Sequence, residues 1–376
     1  MSRAKIITVA GARPNFIKIA PLVSEFEKHA DLDSILLHTG QHYDDAMSHS
    51  FFEDLGIPTP DHNLEVGSAS HAVQTARVME RFEKVMLDEK PDLVIVVGDV
   101  NSTVACSLTS VKLGTPVAHV EAGLRSFDRG MPEEINRLMT DAISEYLFTT
   151  EESANENLRK EGVPEERIHF VGNVMIDTLL KQREKALQSD VLTRLGLTED
   201  SFGLLTLHRP SNVDDRETLD RILSAIGHVA QELPILFPCH PRTLGKLKEF
   251  DLERHITSDD SAVQSGIRIV KPLGYLEFLN LMSTARLVLS DSGGIQEETT
   301  ILGTACITLR ENTERPVTVS QGTNFIAGTN PETIAQKARE AIAGKGVTGR
   351  TPEMWDGKAS ERITAVIRKE LASRRG

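Results

Sequence analysis

The chain has 376 residues, 39% hydrophobic and 26% charged, an ordinary globular composition with room for two domains and a sizeable core. Its formal net charge is −13 with no basic run, which argues against a nucleic-acid partner and means that any anionic ligand is held by a local cluster of cations. Cys106, Cys239 and Cys306 stand far apart without a C-x-x-C, so neither a disulfide framework nor a zinc site is expected, and a reducing, cytoplasmic setting fits. No apolar run approaches a membrane span, and the five apolar residues before Gly11 are too few for a signal peptide.

Short β-branched runs alternate with amphipathic segments. KIITVA (5–10), SILLHT (34–39), DLVIVVG (92–98), PVAHV (116–120) and YLFTT (146–150) predict strands. They are continuous apolar runs, as in a parallel sheet buried on both faces. A helix is predicted from Pro132, with Ile135, Leu138, Met139, Ala142, Ile143 and Tyr146 recurring at helical spacing as its apolar stripe. GLLTL (203–207), PILFP (234–238), IRIV (267–270), RLVLS (286–290) and ACITL (305–309) repeat the alternation. The halves also echo one another: LVIVVGD, a helix, then LGTPVAHVEA parallels LVLSDSGG, a helix, then LGTACITLRE. The pattern predicts an α/β chain of two Rossmann-like, doubly wound domains, 1–173 and 174–359, with a terminal helix over 360–376 that can pack back on the first. The expected ligand site is the cleft between them, at the carboxyl ends of the strands.

The stretch SDSGGIQEETT (290–300) closes one predicted strand and opens a helix. Glycines there let the backbone turn tightly and let a ligand come close. The helix N-terminus offers free N–H groups and partial positive charge, which suits a phosphate. A carboxylate one turn further on can accept hydrogen bonds from sugar hydroxyls. Ser292, Gly293, Gly294 and Glu298 therefore read as a nucleotide or sugar-phosphate site; the structural alternative is a helix start whose acidic residues favour the dipole.

Other polar residues fall just after predicted strands: Arg13, Lys18, Asp99, Glu121 and Glu133 in the first half, and His208, Arg209, His240, Arg242 and Arg315 in the second. Cations with a Ser-Gly-Gly turn suit a diphosphate, and carboxylates opposite them suit proton transfer on the rest of the ligand. Each has a structural alternative. Asp99 can cap the helix starting near Asn101. Glu133 can pair with Arg137. His208 and His240 can be satisfied turn histidines. Glu121 follows a buried strand and precedes AGLRS, with no helix to cap. The absence of G-x-x-x-x-G-K-[ST], G-x-G-x-x-G, G-x-S-x-G and H-E-x-x-H excludes P-loop, dinucleotide-binding, serine-hydrolase and zincin readings. No His and Asp share metal-ligand spacing, so no required metal is expected.

GARPNFIKIAPL, TGQHYDDAM, GDVNST, HVEAGLRS, PEEINR, TLHR, DSGGIQEE and TERP occur in the order seen in the non-hydrolysing UDP-N-acetylglucosamine 2-epimerases, and the resemblance covers roughly the whole chain. It implies the glycosyltransferase-B-type fold, usually as a cytoplasmic homodimer, and an isomerase that uses no cofactor. UDP would be eliminated to give 2-acetamidoglucal and re-added with the acetamido group on the other side, a route to polysaccharide precursors. By motif, Asp99, Glu121 and Glu133 would be the acid and base candidates, and His208 would sit by the phosphates. Arg13, Lys18 and Arg315 would lie near the diphosphate or sugar. Ser292, Gly293 and Gly294 would bind phosphate, Glu298 the ribose hydroxyls, and Phe278 would stack by the base.

There are departures. HRPSN places Ser211 where many members have glutamate, QHYDDAM lacks the arginine and glutamate of a regulatory substrate site, and Leu273 stands where several have glutamine. The alternative substrate is UDP-2,3-diacetamido-2,3-dideoxyglucuronate, whose carboxylate would want a further cation, Arg125 or Arg129. A hydrolysing epimerase, a glycosyltransferase and a UDP-sugar sensor are further alternatives. The GARPN start argues against the first, and the retained carboxylates against the last.

Overall fold

The computed structural model describes residues 3–40, 52, 54–257, 265–344 and 349–375; QHYDDAM (41–47) and the Arg13 side chain lie outside the described residues. The chain divides into two compact units, Met1–Lys181 with Glu353–Gly376, and Gln182–Pro352. Among the described residues each unit holds one seven-stranded sheet, and every strand pairing is parallel.

The first sheet contains β1 (Ala4–Ala10), β2 (Leu32–His38), β3 (His62–Asn63), β4 (Leu93–Val97), β5 (Val117–Ala122), β6 (Tyr146–Thr149) and β7 (Ile168–Phe170), in the order β3-β2-β1-β4-β5-β6-β7. The second contains β8 (Gly203–Thr206), β9 (Ile235–Pro238), β10 (Ile256–Thr257), β11 (Ile267–Val270), β12 (Leu287–Ser290), β13 (Ala305–Thr308) and β14 (Asn324–Ile326), in the order β10-β11-β9-β8-β12-β13-β14. This is the paired Rossmann-like, glycosyltransferase-B-type pattern expected from the sequence. All ten predicted strands form. The four unforeseen ones, β3, β7, β10 and β14, are the sheet edges, with two or three residues each. Such short, half-buried segments carry too few side chains to make an apolar run.

Central strands are apolar because both faces are covered. In the first unit Ile7, Val9, Val94, Val96 and Val117 pack with Val78, Phe82 and Met86, which recur at helical spacing on His71–Glu89. In the second, Leu205, Phe237, Leu289 and Ile307 meet Ile222, Leu223 and Ile226 of the helix Arg216–Val229. Each such side chain contributes about 1.5–3 kcal/mol by leaving water, so Ile222→Ala costs about 2–5 kcal/mol.

The contact division falls inside the helix Val174–Leu187. The terminal helix, Ala359–Arg375, belongs to the first unit. Asp177 accepts from the Ala359 and Ser360 amides at 3.1 and 2.7 Å, Trp355 donates to the Thr150 carbonyl at 2.8 Å, and Arg368 pairs with Asp31 at 2.9 Å.

One expectation is inverted. The helix Pro132–Ile143 forms as predicted, but its buried face is Glu134, Asn136, Arg137, Thr140 and Asp141. Met139, expected in the core, is 45% exposed, and with Ile135, Met79, Val104 and Leu108 it lines an apolar groove. Charge pairing inside the unit outcompeted the apolar stripe for the interior face. Among the described residues no helix is long and apolar enough to cross a membrane.

Candidate functional site

In a doubly wound sheet, ligands gather where strand order reverses, outside the carboxyl ends of the strands. That point lies between β1 and β4 in the first unit and between β8 and β12 in the second. Most sequence-derived candidates stand at or beside one of the two.

In the first unit the β1 strand runs through Gly11 into the helix Arg13–Phe26. Asn15 Oδ1 accepts from the Gly11 and Ala12 amides, both at 2.9 Å, and its Nδ2 donates to the Val97 carbonyl at 3.2 Å, tying this turn to the end of β4. A Cβ on Gly11 would meet Ser102 Oγ at 2.7 Å, so only glycine lets the two elements close up. One turn on, buried Lys18 reaches the Glu121 carboxylate at 2.6 Å. Glu121 is 3% exposed and sits at φ 75° beside a register shift in β5. A non-glycine residue held there stores about 1–3 kcal/mol, and such strain concentrates at functional sites.

A buried polar network holds that conformation. His119 Nδ1 meets Asp141 Oδ1 at 2.6 Å, and its Nε2 meets the Gly98 carbonyl at 2.8 Å. Asp141 Oδ2 accepts from the Gly123 amide at 3.0 Å and pairs with Arg125 at 2.7 Å. Burial pushes the Asp141 carboxyl up, but His119 and Arg125 outweigh it and hold it below the ordinary value. Arg125 also grips Glu161 with both arms of its fork, at 2.8 and 2.7 Å. The guanidinium expected to serve a uronate is thus committed within the fold.

Asp99 does not cap the following helix, whose N-cap is Val100 with no side-chain bond. Its carboxylate pairs instead with buried Arg137, which also contacts Glu134 at 2.7 Å. Glu134 in turn accepts from the Ser126 and Phe127 amides, both at 3.0 Å. Phe127 is 78% exposed at φ 59°. A chain of charge therefore runs from Asp99 to the 126–127 turn. Glu133, half-buried in the first turn of the helix Pro132–Ile143, directly precedes Glu134.

In the second unit, β8 and β12 end side by side, with Thr206 and Ser290 hydroxyls 2.8 Å apart. His208 follows β8 and stays half-exposed, its Nδ1 on Asp291 at 2.8 Å. Ser292 caps the helix Gly293–Leu302 by position, without a side-chain bond, and both Ser292 and Gly294 reach solvent. Gly293 is packed: an added Cβ would meet Arg315 Nη1 at 2.4 Å and Glu314 Oε1 at 2.6 Å. Arg315 is buried, with Nε on Glu297 at 2.8 Å and Nη1 on Glu314 at 2.5 Å. Glu314 also holds Arg310 at 2.8 Å. The adjacent glutamates thus separate: Glu297 anchors an arginine, while Glu298 accepts from the Tyr275 hydroxyl at 3.0 Å. Burial pushes the Glu298 carboxyl up to about 7; the Tyr275 hydroxyl opposes the rise and the Glu297 charge adds to it. Phe278 stands half-buried on the same helix as Tyr275, Tyr275–Thr284. His240 is a turn histidine, accepting the Arg242 amide at 3.2 Å.

Sequence reasoning assigned no role to Asp141, Glu134, Asp291 or Tyr275, and read Arg137 only as a helical partner. For Glu134 and Asp291 the one available signal was their charge inside the quoted motifs PEEINR and DSGG; Asp141 and Tyr275 lie in neither.

The profile of the family described as UDP-N-acetylglucosamine 2-epimerase matches residues 24–368. A UDP-N-acetylglucosamine 2-epimerase of Methanocaldococcus jannaschii is 44% identical over 96% of this chain and 98% of its own. The solved structure of that organism's UDP-GlcNAc 2-epimerase in complex with UDP-GlcNAc and UDP covers 97% of this chain and 99% of its own at a TM-score of 0.90. A UDP-2,3-diacetamido-2,3-dideoxy-D-glucuronate 2-epimerase of Pseudomonas aeruginosa is 39% identical over 97% of this chain and 99% of its own. With a family profile across most of its length and relatives this similar end to end, the chain belongs to the UDP-N-acetylglucosamine 2-epimerase family.

Proposed function

We propose that the chain interconverts UDP-N-acetylglucosamine and UDP-N-acetylmannosamine without a cofactor. The second unit holds UDP: Ser292, Gly293 and Gly294 with His208 and Arg315 at the diphosphate, Glu298 at the ribose, Phe278 by the base. The first unit acts on the sugar through Asp99, Glu121 and Glu133, with Lys18 paired to Glu121; by its motif Arg13 serves the diphosphate or the sugar. A carboxylate takes the C2 proton, the C–H electron pair forms the C1=C2 bond, and the C1–O pair leaves with UDP. Protonation of C2 of the resulting 2-acetamidoglucal on its other face and return of a UDP oxygen to C1 give the epimer. The observation that carries this reading is Glu121, strained, buried and paired to Lys18 at 2.6 Å near the end of β5, with a second carboxylate, Asp99, just past the end of the neighbouring β4. Fixed dipoles of this kind reorganise little as charge moves.

The diacetamido-uronate remains the second substrate to test, because of the Pseudomonas relative. Against it, Arg125 is bound by Asp141 and Glu161, which leaves exposed Arg129 as the cation of LRSFDRG. The apolar groove beside Met139 is proposed to pair with a second copy as a homodimer, and Met139→Glu should then release monomers in light scattering. The three buried, free cysteines suit a cytoplasmic location.

The test is proton NMR in deuterated water with UDP-N-acetylglucosamine and no additive. A second UDP-linked anomeric signal with deuterium entering C2 is expected. Free UDP with free N-acetylmannosamine would point to hydrolysis, and no change with this substrate but turnover of the uronate would replace the substrate.

A further inference from the structure

The His208 ring is directed by a residue that contacts no solvent. Asp291 lies at the end of β12, fully buried, between Ser290 and the Ser-Gly-Gly turn. Its Oδ2 accepts from the His208 amide at 3.0 Å, the Arg209 amide at 2.9 Å and Asn212 Nδ2 at 3.2 Å. Its Oδ1 faces the His208 ring at 2.8 Å from Nδ1, and also lies 3.2 Å from the His208 amide. Asn212 donates to the Leu309 carbonyl as well, at 2.9 Å, so the whole turn after β8 is fastened to its neighbours. Burial pushes the Asp291 carboxyl up; the His208 ring and the two amides outweigh it and keep it below the ordinary carboxylate value. An ionised carboxylate only accepts, so Nδ1 must donate to it. The ring then has a single nitrogen, Nε2, to offer a ligand, and its side chain is 52% exposed.

We propose that Asp291 is a positioning residue for the epimerisation. It fixes the tautomer and direction of His208 so that Nε2 faces the diphosphate oxygen on which charge develops as the C1–O bond breaks. This rests on the reading of the chain as a UDP-sugar epimerase. The leaving electron pair ends on a β-phosphate oxygen. With Nδ1–H held by Asp291, Nε2 takes a second proton and donates to that oxygen from a ring whose positive charge Asp291 offsets; in Asp291→Asn the neutral ring still presents Nε2–H but lacks that steadied charge. Orientation by a buried carboxylate works on a histidine in this way irrespective of fold.

The side chain's two oxygens do different jobs, which makes the role separable from folding. In Asp291→Asn the remaining oxygen can keep the three Oδ2 donors, while the amide NH2 turns toward Nδ1 and donates to it. Nitrogen-15 NMR of ring-labelled wild-type protein should show Nδ1 protonated, and the variant should move the proton to Nε2. Turnover in the variant should fall at least tenfold with KM changed less than threefold. In a His208→Gln background, Asp291→Asn should cost less than a further twofold. An unprotonated Nδ1 in the wild type would overturn the proposal even if the variant fails to fold. An equal loss in both backgrounds would also overturn it, since Asp291 would then act on the fold and not through the ring. A wild type that turns over no UDP-sugar would instead sink the functional reading, and the nitrogen-15 result distinguishes the two failures.

Discussion

The two units solve opposite electrostatic problems with the same parts. In the first, the groups proposed to act are carboxylates, and cations hold them: Lys18 on Glu121, Arg137 on Asp99. In the second, the groups proposed to act are cationic or dipolar, and buried carboxylates hold them: Glu297 and Glu314 on Arg315, Asp291 on His208. The difference teaches where each unit can place new charge. A proton-transfer group must sit near a counter-charge that steadies it without neutralising its chemistry. A proposed anion cradle must hold like-charged groups close together before the diphosphate arrives, and buried carboxylates offset their mutual repulsion.

The largest expected effect breaks this symmetry on the cradle side. Arg315→Ala leaves Glu297 and Glu314 buried beside a missing partner, so unfolding in denaturant should show a loss of about 3–5 kcal/mol, and UDP affinity should fall with it. Adding Glu297→Gln to that variant should restore part of the stability but none of the UDP affinity. If affinity returns too, Arg315 serves the fold alone. Next in size, Gly293→Ala puts a methyl group against the Arg315 guanidinium and should weaken UDP binding about tenfold in calorimetry by the crowding that packed sites resist. Turnover at saturating substrate should change little.

The smallest effect sharpens the comparison by pH. Glu298 titrates near 7 because it is buried beside Glu297. Below that pH it is protonated; above it, an ionised carboxylate accepts ribose hydroxyls more strongly. KM for UDP-N-acetylglucosamine should therefore fall as pH rises through about 7, and Glu298→Gln should flatten the profile. Stability of the unliganded protein runs the other way. A carboxyl raised from 4.5 to about 7 contributes less and less as pH climbs through that window, since the unfolded chain ionises it freely. A profile with the same slope in wild type and Glu298→Gln would remove Glu298 from the ribose.

The fold was legible because both sheets are parallel and covered on both faces. KIITVA and LVIVV had to be mostly apolar, and they read as strands for that reason. His62–Asn63 and Ile256–Thr257 at the edges had no such requirement and left no mark. At the site, Glu121 was legible as a carboxylate with nothing to cap, and its positive φ gives that oddity a physical content. The supports were not legible. Helical periodicity pointed Met139 inward and Asp141 outward, and the reverse occurs, because Asp141 closes a network with His119, Arg125 and the Gly123 amide. Pairing of this kind depends on partners far along the chain, which periodicity does not see. Likewise the sequence singled out Glu298 and left Glu297 without a role, and the fold gives Glu297 one by bringing it to Arg315 while Glu298 meets Tyr275.

The division of labour between the units is tested most directly by Glu121→Gln, measured twice. Calorimetry with UDP reports the cradle, and deuterium incorporation at C2 of UDP-N-acetylglucosamine reports the proton transfer. The account predicts UDP affinity within about twofold of wild type and C2 exchange slowed by about 10²–10⁴. Exchange at the wild-type rate would contradict the assignment of Glu121 and, with it, the separation of proton transfer from UDP binding.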